Sequence, residues 1–123
     1  MSERERRILV VDDDVSIRGF LAEALTDEGY EVQTAGNGQE ALDVLAGWRP
    51  DLILLDLMMP VMDGWAFRAQ QRQLPDAADV PVIVLSATRD LPAKAAQLEP
   101  AYLFSKPFAL DALLTTVEQA TAQ

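Results

Sequence analysis

Residues Asp51–Gly64, DLILLDLMMPVMDG, decide how this chain reads. Leu52-Ile53-Leu54-Leu55 is a short apolar run of the kind that fills a strand buried on both faces. Asp56 ends the run, a carboxylate at the junction of strand and loop. Pro60 and Gly64 punctuate the loop beyond it and permit a tight, shaped turn. In an open α/β sheet, sites form at the carboxyl ends of strands. Asp56 is therefore placed as a candidate nucleophile or metal ligand; the plainer reading is an Asp that only starts a turn.

Outward from this stretch, the same alternation of buried strand and amphipathic helix repeats. Ile8-Leu9-Val10-Val11 predicts a strand that ends on Asp12-Asp13-Asp14. Ile17, Phe20, Leu21, Ala24 and Leu25 fall on one helical face, with Asp14 or Ser16 as cap and Gly29 as terminator. Glu31–Ala35 suits a second strand nearer a sheet edge. Asn37 and Glu40 have N-cap and N3 spacing ahead of Ala41, Val44, Leu45 and Trp48. After Asp56 a helix is expected from about Gly64 to Leu74, with a thin apolar face of Trp65, Ala66, Phe67 and Leu74, and then a loop to Val80. Val82-Ile83-Val84-Leu85 predicts a fourth strand, ended by Ser86. A short helix is expected within Thr88–Glu99, opened by Pro92 and stopped by Pro100. Tyr102-Leu103-Phe104 predicts the fifth strand, ending at Ser105-Lys106-Pro107. Leu110, Leu113, Leu114 and Val117 mark a closing amphipathic helix. Five such alternations imply an α/β fold, a parallel five-stranded sheet covered by helices on both faces.

Composition narrows the chemistry. The chain has 123 residues, half of them hydrophobic, which suits one globular domain over 1–123 with no output domain. No apolar run reaches the length of a membrane span, and the charged start, Met1–Arg7, does not read as a secretory signal, so a cytoplasmic location without membrane insertion is expected. The absence of cysteine excludes disulfides and thiolate zinc sites. The absence of histidine removes the commonest general base and any Ser-His-Asp triad. A formal net charge of −10 argues against direct nucleic-acid binding and favours a cation or a basic partner patch.

Parallel strands put all their carboxyl ends on one edge. That edge gathers Asp12, Asp13, Asp56, Ser86 and Lys106. Carboxylates brought together repel one another unless a cation neutralises them. A cluster of oxygen donors without His or Cys favours a hard cation, and Mg²⁺ suits it best because it binds through a few carboxylates plus phosphate oxygens. Lys106 offers a charge and Ser86 a hydroxyl to a phosphoryl group, and a carboxylate can itself be the nucleophile that forms an acyl phosphate. Taken singly, each residue has a plain structural reading: Asp14 as a helix cap, Ser86 as a turn residue, Lys106 as a solvated charge.

Together, ILVVDDD at Ile8–Asp14, DLILLDLMMPVMDG at Asp51–Gly64, VIVLSA at Val82–Ala87 and SKPF at Ser105–Phe108 resemble the receiver domain of two-component response regulators, of the single-domain type. The resemblance covers nearly the whole chain. It implies a flavodoxin-like (βα)5 three-layer sandwich with strand order 2-1-3-4-5. It implies a signalling phosphoacceptor rather than an enzyme acting on a separate substrate. Asp56 would accept a phosphoryl group from a sensor histidine kinase or phosphotransfer protein. Asp13, Asp56 and the main-chain carbonyl of Met58 would bind Mg²⁺, with Asp12 acting through water. Ser86 and Lys106 would hold the phosphoryl oxygens and report their arrival. Met58 and Thr88 would tune dephosphorylation; neither is an acid or amide that orients water, so slow to moderate loss of phosphate is expected. A downstream protein would read a surface of the fourth helix, fifth strand and fifth helix.

Three features depart from the family pattern. Leu103 stands where an aromatic is usual, between Tyr102 and Phe104. Glu99-Pro100-Ala101 replaces the usual Gly-Ala before the fifth strand. Ala109 stands where an Asp or Asn usually caps the last helix. Two other readings compete. Asp12-Asp13-Asp14-Val15 also fits the DxDxV motif of haloacid-dehalogenase-like phosphatases, with Asp12 as nucleophile and Asp14 as acid, although that leaves Asp56 without a role. A receiver-like module that docks without phosphorylation is the other.

Overall fold

The computed structural model describes residues 5–86 and 98–122. The helix expected within Thr88–Glu99 therefore lies outside the described residues, apart from Leu98 and Glu99. The elements are β1 (Arg7–Val11), α1 (Val15–Asp27), β2 (Glu31–Ala35), α2 (Gly38–Leu45), β3 (Leu52–Asp56), α3 (Gly64–Gln71), β4 (Val82–Ser86), β5 (Tyr102–Ser105) and α4 (Leu110–Thr121). All strand pairs are parallel, and the order across the sheet is β2-β1-β3-β4-β5. This is the order expected from the sequence.

Alternation along the strands divides the core in two. Leu9, Val11, Ile53, Leu55, Val82 and Val84 meet Ala41 of α2 and Phe67 of α3 on one face. Ile8, Val10, Leu52, Leu54, Ile83 and Leu85 meet Leu21 and Leu25 of α1 and Leu113 and Val117 of α4 on the other. The inner strands β3 and β4 are buried at every position, as continuous apolar runs require when helices cover both faces. The edge strands β2 and β5 are largely exposed or half-buried.

Local signals in the sequence bound α1 and start α2 where expected. The Asp14 carboxylate accepts from the backbone N–H of Ser16 and Ile17 and caps α1. Gly29, at φ 97°, ends α1 in a Schellman turn, with its N–H on the Thr26 carbonyl and the Tyr30 N–H on the Leu25 carbonyl. The Asn37 side chain accepts from the Glu40 N–H, while the Glu40 carboxylate reaches back to the Gly36 N–H. Ala109 is an N-cap without a side-chain bond, so α4 starts unassisted.

Helix α3 differs from expectation. It ends at Gln71 rather than near Leu74, and it buries Arg68 and Gln71 as well as Phe67. The Gln71 amide donates to the carbonyls of Ala77 and Val80 at 2.9 and 3.1 Å, and so ties down the chain that leads into β4. Its oxygen accepts from Arg68 Nη1 at 2.8 Å. Arg68 Nε and Arg72 Nη2 both donate to the Leu98 carbonyl, at 3.0 and 2.6 Å. Burial, with the Arg72 charge beside it, pushes the Arg68 pKa below its ordinary value. Glu99 takes a left-handed φ of 50°, a conformation that costs a non-glycine residue roughly 1–2 kcal/mol. Its carboxylate is held by Arg72 at 2.9 Å. The thin apolar face of α3 is thus completed by polar side chains that grip backbone carbonyls on both sides of β4.

Gln71→Leu should lower the unfolding free energy by about 2–3 kcal/mol, because two buried carbonyls and one guanidinium nitrogen lose their partner. Urea denaturation measures this, and a loss below about 0.5 kcal/mol would show that the Gln71 bonds contribute little net stability.

Candidate functional site

The carboxyl edge of the sheet collects the side chains that the sequence singles out. Asp12 and Asp13 follow β1, Asp56 closes β3, Ser86 closes β4 and Lys106 follows β5. The topology does this without help from local propensity, because parallel neighbours end on the same side.

Carboxylate oxygens of Asp12, Asp13 and Asp56 lie within 4.8 Å of one another. Asp12 is fully buried, Asp56 is 6% exposed and Asp13 faces solvent. Asp12 Oδ1 accepts from the Asp14 N–H at 2.9 Å, and Asp12 Oδ2 lies 2.9 Å from Lys106 Nζ. The same ammonium is 3.7 Å from Asp56 Oδ1. Arg18 Nη1 donates to the Asp12 main-chain oxygen at 2.7 Å, which steadies the β1–α1 turn; nothing in the spacing of Arg18 marks it for this.

The electrostatics are those of crowded acids. Burial pushes the Asp56 pKa up from 3.8 to about 6; the Asp12 charge and a hydrogen bond and charge from Asp13 add to this, and Lys106 opposes it. For Lys106, burial alone would lower the pKa, but the hydrogen bond to Asp12 and the Asp56, Asp12 and Asp13 charges outweigh it and hold the value above normal. The ammonium therefore stays charged but does not cancel three carboxylates. The residues fit a hard divalent cation: the donors are all oxygen, they converge, and one of them is open to solvent.

Ser86 is fully buried, and its carbonyl accepts from the Lys106 N–H at 2.6 Å. Strand register sets Ser86 opposite Ser105. Met58 is exposed. Thr88 lies outside the described residues. Leu103 is half-buried and packs against the face that carries α2 and α3. Phe104 packs on the opposite face, edge-on to Phe108 with ring centroids 6.2 Å apart, so it does not fill the place Leu103 occupies. Asp14, the acid of the phosphatase alternative, is engaged in capping α1.

The loop from β3 to α3 is tightly closed. The Gly64 N–H donates to the Leu57 carbonyl at 2.9 Å. A Cβ at Gly64 would stand 2.5 Å from Leu57 Cδ2 and 2.8 Å from Leu57 Cα, so no larger residue fits there.

A carboxyl whose folded pKa exceeds its unfolded one binds a proton that the unfolded chain does not hold, so stability falls as pH rises through about 4 to 6. Without divalent cations at about pH 7, Asp56→Asn should therefore raise the unfolding free energy by about 1–3 kcal/mol, a gain that vanishes below about pH 4. Denaturation curves at the two pH values check this; a mutant less stable than wild type at neutral pH would contradict the repulsion argument.

The sequence and the fold both have known counterparts. A family model described as the response regulator receiver domain matches residues 8–118. Response regulator MprA of Mycolicibacterium vanbaalenii is 45% identical over 111 residues, a match that takes in 88% of this chain and 47% of that protein. The chain thus spans about half the length of the curated relatives it matches. Chemotaxis response regulator CheY4 of Vibrio cholerae superposes with a TM-score of 0.87 at 32% identity, over 95% of this chain and 99% of that one. Response regulator protein TrrA of Thermotoga maritima, solved in complex with Mg(2+)-BeF, gives a TM-score of 0.83 at 35% identity, over 94% and 98%. No helix among the described residues is long and apolar enough to cross a membrane. With a match that runs from the first strand into the last helix, the chain belongs to the response regulator receiver domain family of two-component signalling systems.

Proposed function

We propose that this domain accepts a phosphoryl group on Asp56 from the phosphohistidine of a sensor kinase or phosphotransfer protein in the cytoplasm. The observation that carries the reading is the buried Asp56 carboxylate, clustered with Asp12 and Asp13 and 3.7 Å from the Lys106 ammonium. An Asp56 oxygen attacks phosphorus, the phosphorus–nitrogen bond breaks, and its electron pair returns to the donor imidazole. The product is an acyl phosphate. Phosphoryl transfer asks a protein mainly for positioning and charge neutralisation. Asp13, Asp56 and the Met58 carbonyl would hold Mg²⁺, with Asp12 acting through water. When bound, Mg²⁺ supplies positive charge to the phosphoryl oxygens.

Lys106 supplies the complementary protein charge. Its ammonium is paired with Asp12 and is already near Asp56, so a new dianion on Asp56 competes for it. The Ser86 hydroxyl, at the adjacent strand end, supplies a hydrogen bond to the same oxygens. Moving these two side chains biases a two-state surface built from β5, α4 and the segment between β4 and β5, which a downstream protein reads. Leu103 in the aromatic place makes that coupling atypical. It also favours a second reading, a module that docks without phosphorylation.

Intact mass after incubation with acetyl phosphate tests both readings. Wild type should gain one phosphoryl adduct that requires Mg²⁺ and is absent from Asp56→Asn. No adduct on folded wild type, with acetyl phosphate or a phosphohistidine donor, would favour the docking module. An adduct that survives Asp56→Asn but not Asp12→Asn would favour the phosphatase-like assignment. The exposed Met58 thioether cannot orient a water, so the adduct should persist for minutes or longer; a lifetime of seconds would refute that point.

A further inference from the structure

The turn between β2 and α2, Gly36-Asn37-Gly38, carries no group that does chemistry, yet it touches both arms of the site. On one side, the Asp12 N–H donates to the carbonyl of Ala35, the residue before the turn, at 3.1 Å. On the other, the Gly38 N–H donates to the Met62 carbonyl at 2.9 Å, across to the loop after Asp56.

That loop is held only in part by its own hydrogen bonds. The Met62 N–H donates to the Pro60 carbonyl at 2.7 Å around Val61, whose φ is 68°. A three-residue turn of this hand is strained, and the more so with a β-branched residue at its centre. Val61 is 85% exposed, so no burial of its own side chain offsets the cost. Such strain persists only where the surroundings over-determine it. Two restraints surround this turn. Gly64 closes its base on Leu57, and Gly38 receives its far side. The fit at Gly38 is close: an added Cβ would stand 2.7 Å from Met62 Cγ and 2.8 Å from the Met62 carbonyl oxygen. Gly38 is itself buried, and Met62 packs against the core beneath α2 and α3.

We infer that Gly38 is a positioning residue for the phosphoacceptor site: its bare backbone latches Met62, holds the strained Val61 turn in place, and thereby sets where Met58 lies relative to Asp13 and Asp56. The inference rests on the phosphoacceptor reading of Asp56, and it assigns a role in cation binding to a residue that contributes no ligand. Groups that orient ligands without touching the metal commonly change affinity by about 10–100-fold when altered.

The test compares wild type with Gly38→Ala and with Val117→Ala, a cavity on the opposite face that lowers stability without touching the loop. Two readings are taken well below each melting temperature: backbone amide exchange at Met62 and Gly64 in metal-free protein, and the Mg²⁺ dissociation constant by calorimetry. Gly38→Ala should speed exchange at both amides and weaken Mg²⁺ by about ten-fold, while Val117→Ala leaves both near wild type. Met62→Ala, which empties the cradle but keeps Gly38, is the milder variant should Gly38→Ala not fold; it should move both readings the same way. Wild type that binds Mg²⁺, with the latch variants matching Val117→Ala, overturns this inference alone. Wild type that gives no Mg²⁺ isotherm overturns the phosphoacceptor reading and this inference together.

Discussion

Three carboxylates crowded at one sheet edge, partly offset by the Lys106 ammonium, are the constraint around which the rest of the site is arranged. Asp12 is buried and has both its oxygens engaged, one by a backbone N–H and one by Lys106. Its side chain is therefore fixed in place. Asp13 faces solvent, and Asp56 lies close to both, desolvated and repelled, with a pKa pushed up to about 6. Such a cluster stores electrostatic tension that a divalent cation or a proton can release. Lys106 is tied to this cluster through Asp12 at 2.9 Å and Asp56 at 3.7 Å.

Holding charges in that arrangement demands a rigid frame. Continuous apolar runs in β1, β3 and β4 supply it, with helices on both faces. The loops are less regular. The β3–α3 loop includes a positive-φ valine and depends on two close backbone approaches, at Gly64 and Gly38. One of the two left-handed non-glycine residues among those described thus lies in the loop that follows the phosphoacceptor candidate.

The segments that flank β4 are held by different means. Where α3 lacks large apolar residues, Arg68, Gln71 and Arg72 grip the carbonyls of Ala77, Val80 and Leu98. Hydrogen bonds are directional, so this junction fixes the entrance to β4 and the approach to β5 more sharply than apolar packing would. The same junction accommodates Glu99 in its left-handed conformation, in place of the glycine that such a position favours. Leu103, with no bulky ring, is half-buried on the face of β5 that α2 and α3 cover.

The sequence by itself determined the order of the described elements, the parallel sheet and the candidate residues that its strand ends collect. Apolar runs, cap residues and Gly or Pro stops are local signals, and a parallel sheet gathers every strand end on one edge whatever the side chains between. Asp14, Asn37 and Gly29 act where their chemistry suggests. Tertiary structure decided what depends on approach between distant segments. Arg68 and Gln71 carry no mark in the sequence because most of their partners are backbone carbonyls of distant residues. Arg18 steadies Asp12, and Gly38 meets Met62, through contacts of the same kind. The division of labour between Asp12, buried and paired, and Asp13, open to solvent, also required the fold: adjacent identical residues differ only in which side of the strand end they face.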